Sequence, residues 1–153
     1  MQRAAVPQAV AVLRGGNGYP GVSGTAWFQQ QEKGVLVTVR VQGLPAGDAP
    51  CGGRWFAMHI HSGSTCTGSG ADAFADTNGH YDPNGCPHPD HAGDLPPLLG
   101  CHGVAYCSVL TDRFTLDQVV GRTLIVHADL DDFTTQPSGN AGVKIACGAI
   151  RYR

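Results

Sequence analysis

The sequence carries little charge of either sign, 10 Lys and Arg against 12 Asp and Glu in 153 residues, for a formal net charge of −2. It has no basic run to track a nucleic-acid backbone and no acidic tail, so nucleic acid is not an expected partner. No apolar stretch is long enough to cross a membrane as a helix, so no membrane partner is expected either. The first residues, Met1-Gln-Arg-Ala-Ala-Val-Pro7, lack the continuous apolar core of an export signal. The chain is therefore expected either to stay inside the cell or to have lost a leader. Cysteine is present, but never as Cys-x2-Cys, which leaves thiolate zinc and thioredoxin-like chemistry unsupported.

What is abundant is turn chemistry. The 22 glycines and 10 prolines suit short strands joined by turns and long loops rather than helices. The length predicts one domain spanning residues 1–153, large enough to bury a core without metals or disulfides. Six cysteines favour an oxidising compartment, periplasmic or extracellular, with the cytoplasm as the alternative. Buried reduced thiols are the plainer reading of several of them.

Apolar alternation locates the strands. Residues 9–14 form a short apolar run ending at Gly15-Gly16, and residues 22–31 are rich in β-formers. Between 35 and 41, Val35, Val37, Val39 and Val41 fall on one face while Leu36, Thr38 and Arg40 fall on the other. In residues 54–61, Phe56, Met58 and Ile60 share a face, and Trp55, Ala57, His59 and His61 share the opposite one. Leu124 and Val126 likewise alternate with Ile125 and His127. Residues 104–110 and 143–150 supply further strands. Seven or eight short strands predict an all-β fold, a Greek-key β-sandwich or flattened eight-stranded barrel.

Two segments interrupt this rhythm. Residues 62–94 read as one long structureless loop, and 128–142 as a second about half that length. Loops of this size inside a compact domain are usually functional or disordered. The first holds His80 and then His88-x2-His91-x2-Asp94, directly after His59-Ile-His61. Imidazole is the commonest neutral metal ligand, and zinc takes nitrogen and carboxylate oxygen at four tetrahedral positions. His80, His88, His91 and Asp94 would fill one such set. Metal would then offset the cost of ordering the loop.

Five segments in order carry a resemblance that runs nearly end to end: Met58-His-Ile-His61, Gly79-His-Tyr-Asp-Pro83, His91-Ala-Gly-Asp-Leu95, Gly121-Arg-Thr-Leu-Ile-Val-His127 and Gly139-Asn-Ala-Gly-Val-Lys-Ile-Ala-Cys-Gly148. With these, the chain resembles the copper/zinc superoxide dismutases. The resemblance implies an enzyme that converts superoxide to dioxygen and hydrogen peroxide by cycling copper between Cu(II) and Cu(I). It implies His59, His61, His80 and His127 as copper ligands, and His80, His88, His91 and Asp94 as zinc ligands. His80 would bridge the ions, release copper on reduction and carry a proton to the peroxide being formed. Asp131 would hydrogen-bond one ligand of each metal. Cys66 and Cys147 would form the disulfide tying the first long loop to the last strand, a closure of roughly 80 residues contributing on the order of 4 kcal/mol. The family is commonly dimeric, and a homodimer and a monomer both stay open.

Departures from the family pattern bear on what is particular to this chain. Lys144 stands where the family has an arginine beside copper, keeping the charge but losing the planar fork. Between His127 and Lys144 lie Asp129, Asp131 and Asp132 but no cation, so long-range guidance of superoxide is expected to be weak. The close spacing of His88 and His91 resembles the bacterial branch. Cys51, Cys86, Cys101 and Cys107 are extra, and if they pair among themselves three connectivities are open. His102 reads as a turn residue, Trp55 as packing beneath a loop, and Ser138 as a residue of the channel wall. A copper-delivery protein and a zinc-only structural or storage domain are the alternatives from other classes. The intact copper ligands and the lack of a Cys-based copper module argue against both.

Overall fold

The structure, a computed structural model, describes residues 6–47 and 54–153. Its strands are β1 (Gln8–Gly15), β2 (Ser23–Gln31), β3 (Gly34–Gln42), β4 (Arg54–His61), β5 (Asp94–Gly100), β6 (Val104–Thr111), β7 (Thr123–His127) and β8 (Lys144–Tyr152). Every pairing is antiparallel, in the order β5-β4-β7-β8-β1-β2-β3-β6. The chain crosses over from β3 to reach β4 and again from β6 to reach β7, which is the Greek-key pattern. The end strands β5 and β6 are joined by a tight turn closed by a Cys101–Val104 bridge, so the sheet curls into a nearly closed eight-stranded barrel.

Alternation places the core as the sequence predicts. Val35, Val37, Val39 and Val41 of β3 are wholly buried, opposite Phe56, Met58 and Ile60 of β4 and Leu124 and Val126 of β7. Removing each such side chain from water stabilises the fold by roughly 1.5–3 kcal/mol. The strands β4 and β7 are unusual in that their second face is buried too. Ala57, His59, His61, Ile125 and His127 are all covered. Their cover is the two long loops: Phe74 packs on Ile125 and Cys147 outside the barrel, and the Cys66–Cys147 disulfide staples the same loop, with Cα atoms 5.7 Å apart. The outer face of β4 and β7 is thus a second, roofed interior.

Several expectations are corrected. The run from 62 to 94 is not structureless, because it contains a 3-10 turn at Ala75–Thr77 and its end, Asp94, opens β5. The strand β5 is not among the expected ones; it carries Pro96-Pro97, lies at the sheet edge, and its register against β4 slips between Phe56 and Met58. Edges and bulges are where proline is tolerated in a sheet. Ala57, left without a ladder partner there, donates its N–H to Asp129 O at 2.8 Å. The short helix α1 (Leu116–Val119) was also not expected; the Gln118 side chain accepts from Thr115 N at 2.8 Å in a capping box. Trp55 is not beneath a loop but 43% exposed, cross-strand from the equally open Leu99. Cys86, Cys101 and Cys107 are free thiols, so the extra cysteines do not pair among these three; Cys51 lies outside the described residues. His102, exposed at φ +48°, is a turn residue as expected.

Candidate metal centre

Strand pairing brings the first group of histidines together. Antiparallel β4 and β7 align His59 with Ile125 and Ile60 with Leu124, which sets His59, His61 and His127 on the same roofed face. His80 joins them from the first loop, its backbone bridged to His61. Neighbouring bonds lock this loop on β4: Tyr81 N donates to Ile60 O and Ile60 N donates to Gly93 O, each at 2.8 Å. Gly93 is required for that approach, since a Cβ there would lie 2.3 Å from Ile60 O.

In each of these four rings one nitrogen is already engaged. His61 Nδ1–H donates to Asn78 O at 2.7 Å and His127 Nδ1–H to Gly142 O at 3.2 Å. His59 Nε2–H donates to Asp131 Oδ2 at 2.7 Å, and His80 Nδ1 lies 2.8 Å from Asp94 Oδ1. A carbonyl accepts only a proton, so His61 and His127 must both carry lone pairs on Nε2, and these two atoms face each other at 3.3 Å. The remaining nitrogens, His59 Nδ1 and His80 Nε2, are buried without any partner. Buried polar atoms are almost always satisfied. Four acceptor nitrogens within 4.8 Å of one another, two orphaned and two mutually repelling, fit a bound cation.

The second group is local in sequence and organised by carboxylates. Asp94 Oδ2 lies 3.0 Å from His88 Nδ1 and 3.2 Å from His91 Nδ1, and it accepts from the His91 backbone N–H at 3.0 Å. The ligand atoms of His59, His80, His88 and Asp94 lie within 4.8 Å of one another, and His91 Nδ1 lies 3.2 Å from His80 Nδ1 and from Asp94 Oδ2. His59 enters that set because its ring sits 3.9 Å from the His80 ring. Having only one uncommitted nitrogen, His59 can serve one ion, and it belongs with the first group. His91, with its Nδ1 directed at both His80 and Asp94, completes the second.

Asp131 ties the groups together. Its second oxygen accepts from His88 Nε2–H at 2.8 Å while the first holds His59. A Cβ added to Gly139 would fall 2.0 Å from Asp131 Oδ1, and Gly139 has φ +70°, so nothing larger than glycine fits. Burial alone would raise the Asp131 carboxyl, but the bonds from His59, His88 and Phe133 N hold it well below the usual carboxylate range. Asp94 shows the same balance, burial opposed by the His80 bond, and is also lowered. Burial, reinforced by neighbouring rings, pushes His61 down to about 2 and His127 to about 3, and lowers His59. His61 and His127 are therefore neutral at ordinary pH, and burial disfavours the charged form of His59.

Lys144 opens β8 cross-strand from His127. Its ammonium donates to Asp72 Oδ2 at 2.9 Å and to Phe74 O at 3.1 Å. Asp72 is a contact that sequence reasoning missed. Gln136 is another: it accepts from His88 N at 2.9 Å and donates to His88 O at 2.7 Å, joining the second loop to His88. Arg122, stacked 3.9 Å over the Tyr81 ring and donating to Ser62 O, braces the residue next to His80. The carbonyls of Asn78 and Gly142 carry no side-chain signal at all. Ser138 is half-buried in the second loop.

Comparison with known proteins agrees with this geometry. Residues 22–150 match the family described as copper/zinc superoxide dismutase. A Cu-Zn superoxide dismutase of Deinococcus radiodurans is 34% identical over 149 residues, covering 85% of this chain and 78% of that one. One from Photobacterium leiognathi is 32% identical over 142 residues, covering 84% and 78%. Among solved structures, the Cu/Zn superoxide dismutase from Brucella abortus superposes with a TM-score of 0.77 at 25% identity, covering 93% of this chain and 98% of that chain. The chain belongs to the copper/zinc superoxide dismutase family.

Proposed function

We propose that this chain dismutates superoxide, two superoxide anions and two protons giving dioxygen and hydrogen peroxide. In this reading His59, His61, His80 and His127 would hold copper. His80, His88, His91 and Asp94 would hold zinc. Copper, when bound, supplies a reversible one-electron change, and zinc supplies fixed positive charge without redox chemistry. The supporting observation is the set of converging ring nitrogens whose opposite nitrogens are already committed, with His59 Nδ1 and His80 Nε2 left unpartnered in the interior.

The protein's own part is orientation and proton handling. His61 and His127 are fixed in one tautomer by Asn78 O and Gly142 O. Asp131 fixes His59 and His88 in another, so each ring presents a lone pair without rearrangement. His80 is the one ring with a nitrogen facing each group, and its buried Nε2, whenever copper does not occupy its lone pair, would be the atom to hold a proton. Lys144 supplies positive charge beside this pocket. We assign residues 1–153 to one domain, since all the described strands share one sheet. The Cys66–Cys147 disulfide favours an oxidising compartment, and we assign the periplasm or extracellular space over the cytoplasm.

Superoxide decay, followed with copper- and zinc-loaded protein beside zinc-only protein, tests the reading. The doubly loaded form is expected to be active, and the zinc-only form folded and inactive. Decay at the spontaneous rate with the copper-loaded protein rejects it and leaves a zinc-binding structural domain.

A further inference from the structure

The charge beside the copper-side histidines does not stand free. Lys144 spends two of its three N–H donors on Asp72 Oδ2, at 2.9 Å, and Phe74 O, at 3.1 Å. The ammonium end is the covered partner, its side chain 14% exposed against 45% for Asp72. The carboxylate is held in place by its own loop: Asp72 Oδ1 accepts from Phe74 N at 2.9 Å, and the backbone of Asp72 is bonded to Ala75 N. Asp72 is therefore fixed on the solvent side of the lysine. It is not a flexible surface acid that has collapsed onto a cation.

Among the described residues the other cations around the second loop are committed to backbone carbonyls, Arg54 donating to Ala128 O at 3.2 Å. The second loop has no Lys or Arg between His127 and Lys144. Arg122 donates to the carbonyls of Gln118 and Ser62, and Arg113 donates to the carbonyls of Pro89 and His91 beside Asp90. An anion approaching the copper-side pocket meets a lysine already answered by a carboxylate.

We propose that Asp72 is a positioning residue that sets how strongly this pocket attracts small anions, by holding the Lys144 ammonium and offsetting its charge. The proposal rests on the copper assignment made above. Asp72 touches neither substrate nor ligand ring; it acts through Lys144. Without that carboxylate the ammonium keeps its bond to Phe74 O, its other donors are free to meet an anion, and the net local charge rises by one unit.

Azide, a small anion with a charge-transfer absorption on copper, is the probe, titrated into copper- and zinc-loaded protein. Asp72→Asn is expected to tighten azide binding by about two- to fivefold, the size of a unit-charge change across partly solvated distances. It is also expected to steepen the fall of dismutation rate with added salt. Asp72→Glu should behave like the unaltered chain. Lys144→Met should weaken azide binding, and in that background Asp72→Asn should give a clearly smaller gain. Unchanged or weaker azide binding in Asp72→Asn overturns the proposal, even where amide exchange of residues 73–77 in the metal-free protein shows the loop loosened. So does a full gain in the absence of Lys144. If the unaltered copper-loaded protein gives no azide absorption, the copper assignment itself fails, which separates the two readings.

Discussion

The two halves of the proposed metal centre, its copper side and its zinc side in that proposal, are built by different physics. On the copper side, His61 and His127 are 66 residues apart and meet because β4 and β7 pair. Their rings are held by backbone carbonyls on either side. On the zinc side, His80 and Asp94 are only 14 residues apart, both in or at the end of one loop, and a carboxylate collects the rings. The first half inherits its geometry from sheet register, which the core enforces. The second depends on charge balance within a loop that has little core of its own. The copper side should therefore be preformed in the metal-free protein, with the zinc side following the ionisation of Asp94 and the arrival of an ion.

Acid provides the harshest test of that contrast. His61 and His127 resist protonation in the folded state down to about 2 and about 3, while an imidazole in the unfolded chain titrates near 6.5. Between those values the unfolded chain binds more protons. The stability these buried rings confer is fully present above about 6.5 and is lost as pH falls toward 3. The slope is about 1.4 kcal/mol per pH unit for each ring at its steepest. Urea melts of the metal-free protein between pH 7 and 4 read it directly. A flat profile would mean that the copper-side rings are solvated without metal, and the contrast would collapse.

Next in size is the staple between the loop and the wall. Cys66 and Cys147 are 81 residues apart in sequence. Cys147 is itself packed with Phe74 and Ile125 on the roofed face. Replacing both by serine is expected to cost about 4 kcal/mol of unfolding free energy in the chain-entropy account. Loss should appear first as faster amide exchange in residues 62–80, with β7 exchange changing least. Equal loosening of β7 would show that the loop supports the wall as much as the wall supports the loop.

Asp131 and Asp94 sharpen the comparison by mutation. Asp131 reaches one ring of each group, so Asp131→Asn should weaken both metals, by about 10–100-fold in competition with a chelator. Asp94→Asn should act on zinc alone, leaving copper affinity within a few-fold, because no copper-side ring apart from His80 touches it. If Asp131→Asn alters only one metal, the two oxygens of that carboxylate do not couple the halves as their bonds suggest.

The same division decides what was legible in the sequence. Period-two alternation marked β3, β4 and β7 and placed His59, His61 and His127 on one outer face, because register follows from a strand's own pattern. Pro96-Pro97 hid β5: a proline pair weighs against a strand until its edge position and register slip are seen. The capping pair Thr115 and Gln118 was readable, but α1 is one turn long and carries no periodicity. Asp131 entered through family resemblance, not through any local signal. Asp72 could not be found, since its partner lies 72 residues away and neither residue sits in a distinctive pattern. Trp55 reads as buried on hydrophobicity alone, yet the roof over β4 stops short of it.

The smallest effect expected is at Lys144, and it is the most informative about the copper side. Arginine carries the same charge but spreads it over a planar fork with five donors. In Lys144→Arg, one edge of the fork can satisfy Asp72 and Phe74 O, the two partners the ammonium now serves, and still leave N–H groups facing the pocket. Turnover of the copper- and zinc-loaded protein should therefore rise, by about twofold, since the gain is in directed donors and not in net charge. The salt dependence of the rate should stay shallow, because Asp72 still offsets the charge at long range. A steep salt dependence in the unaltered chain would show that guidance reaches further than one paired lysine allows. No gain in the arginine variant would mean that donor geometry at this position does not limit the rate. Charge and geometry separate here: Asp72→Asn changes the field at the pocket, and Lys144→Arg changes only how the donors are aimed.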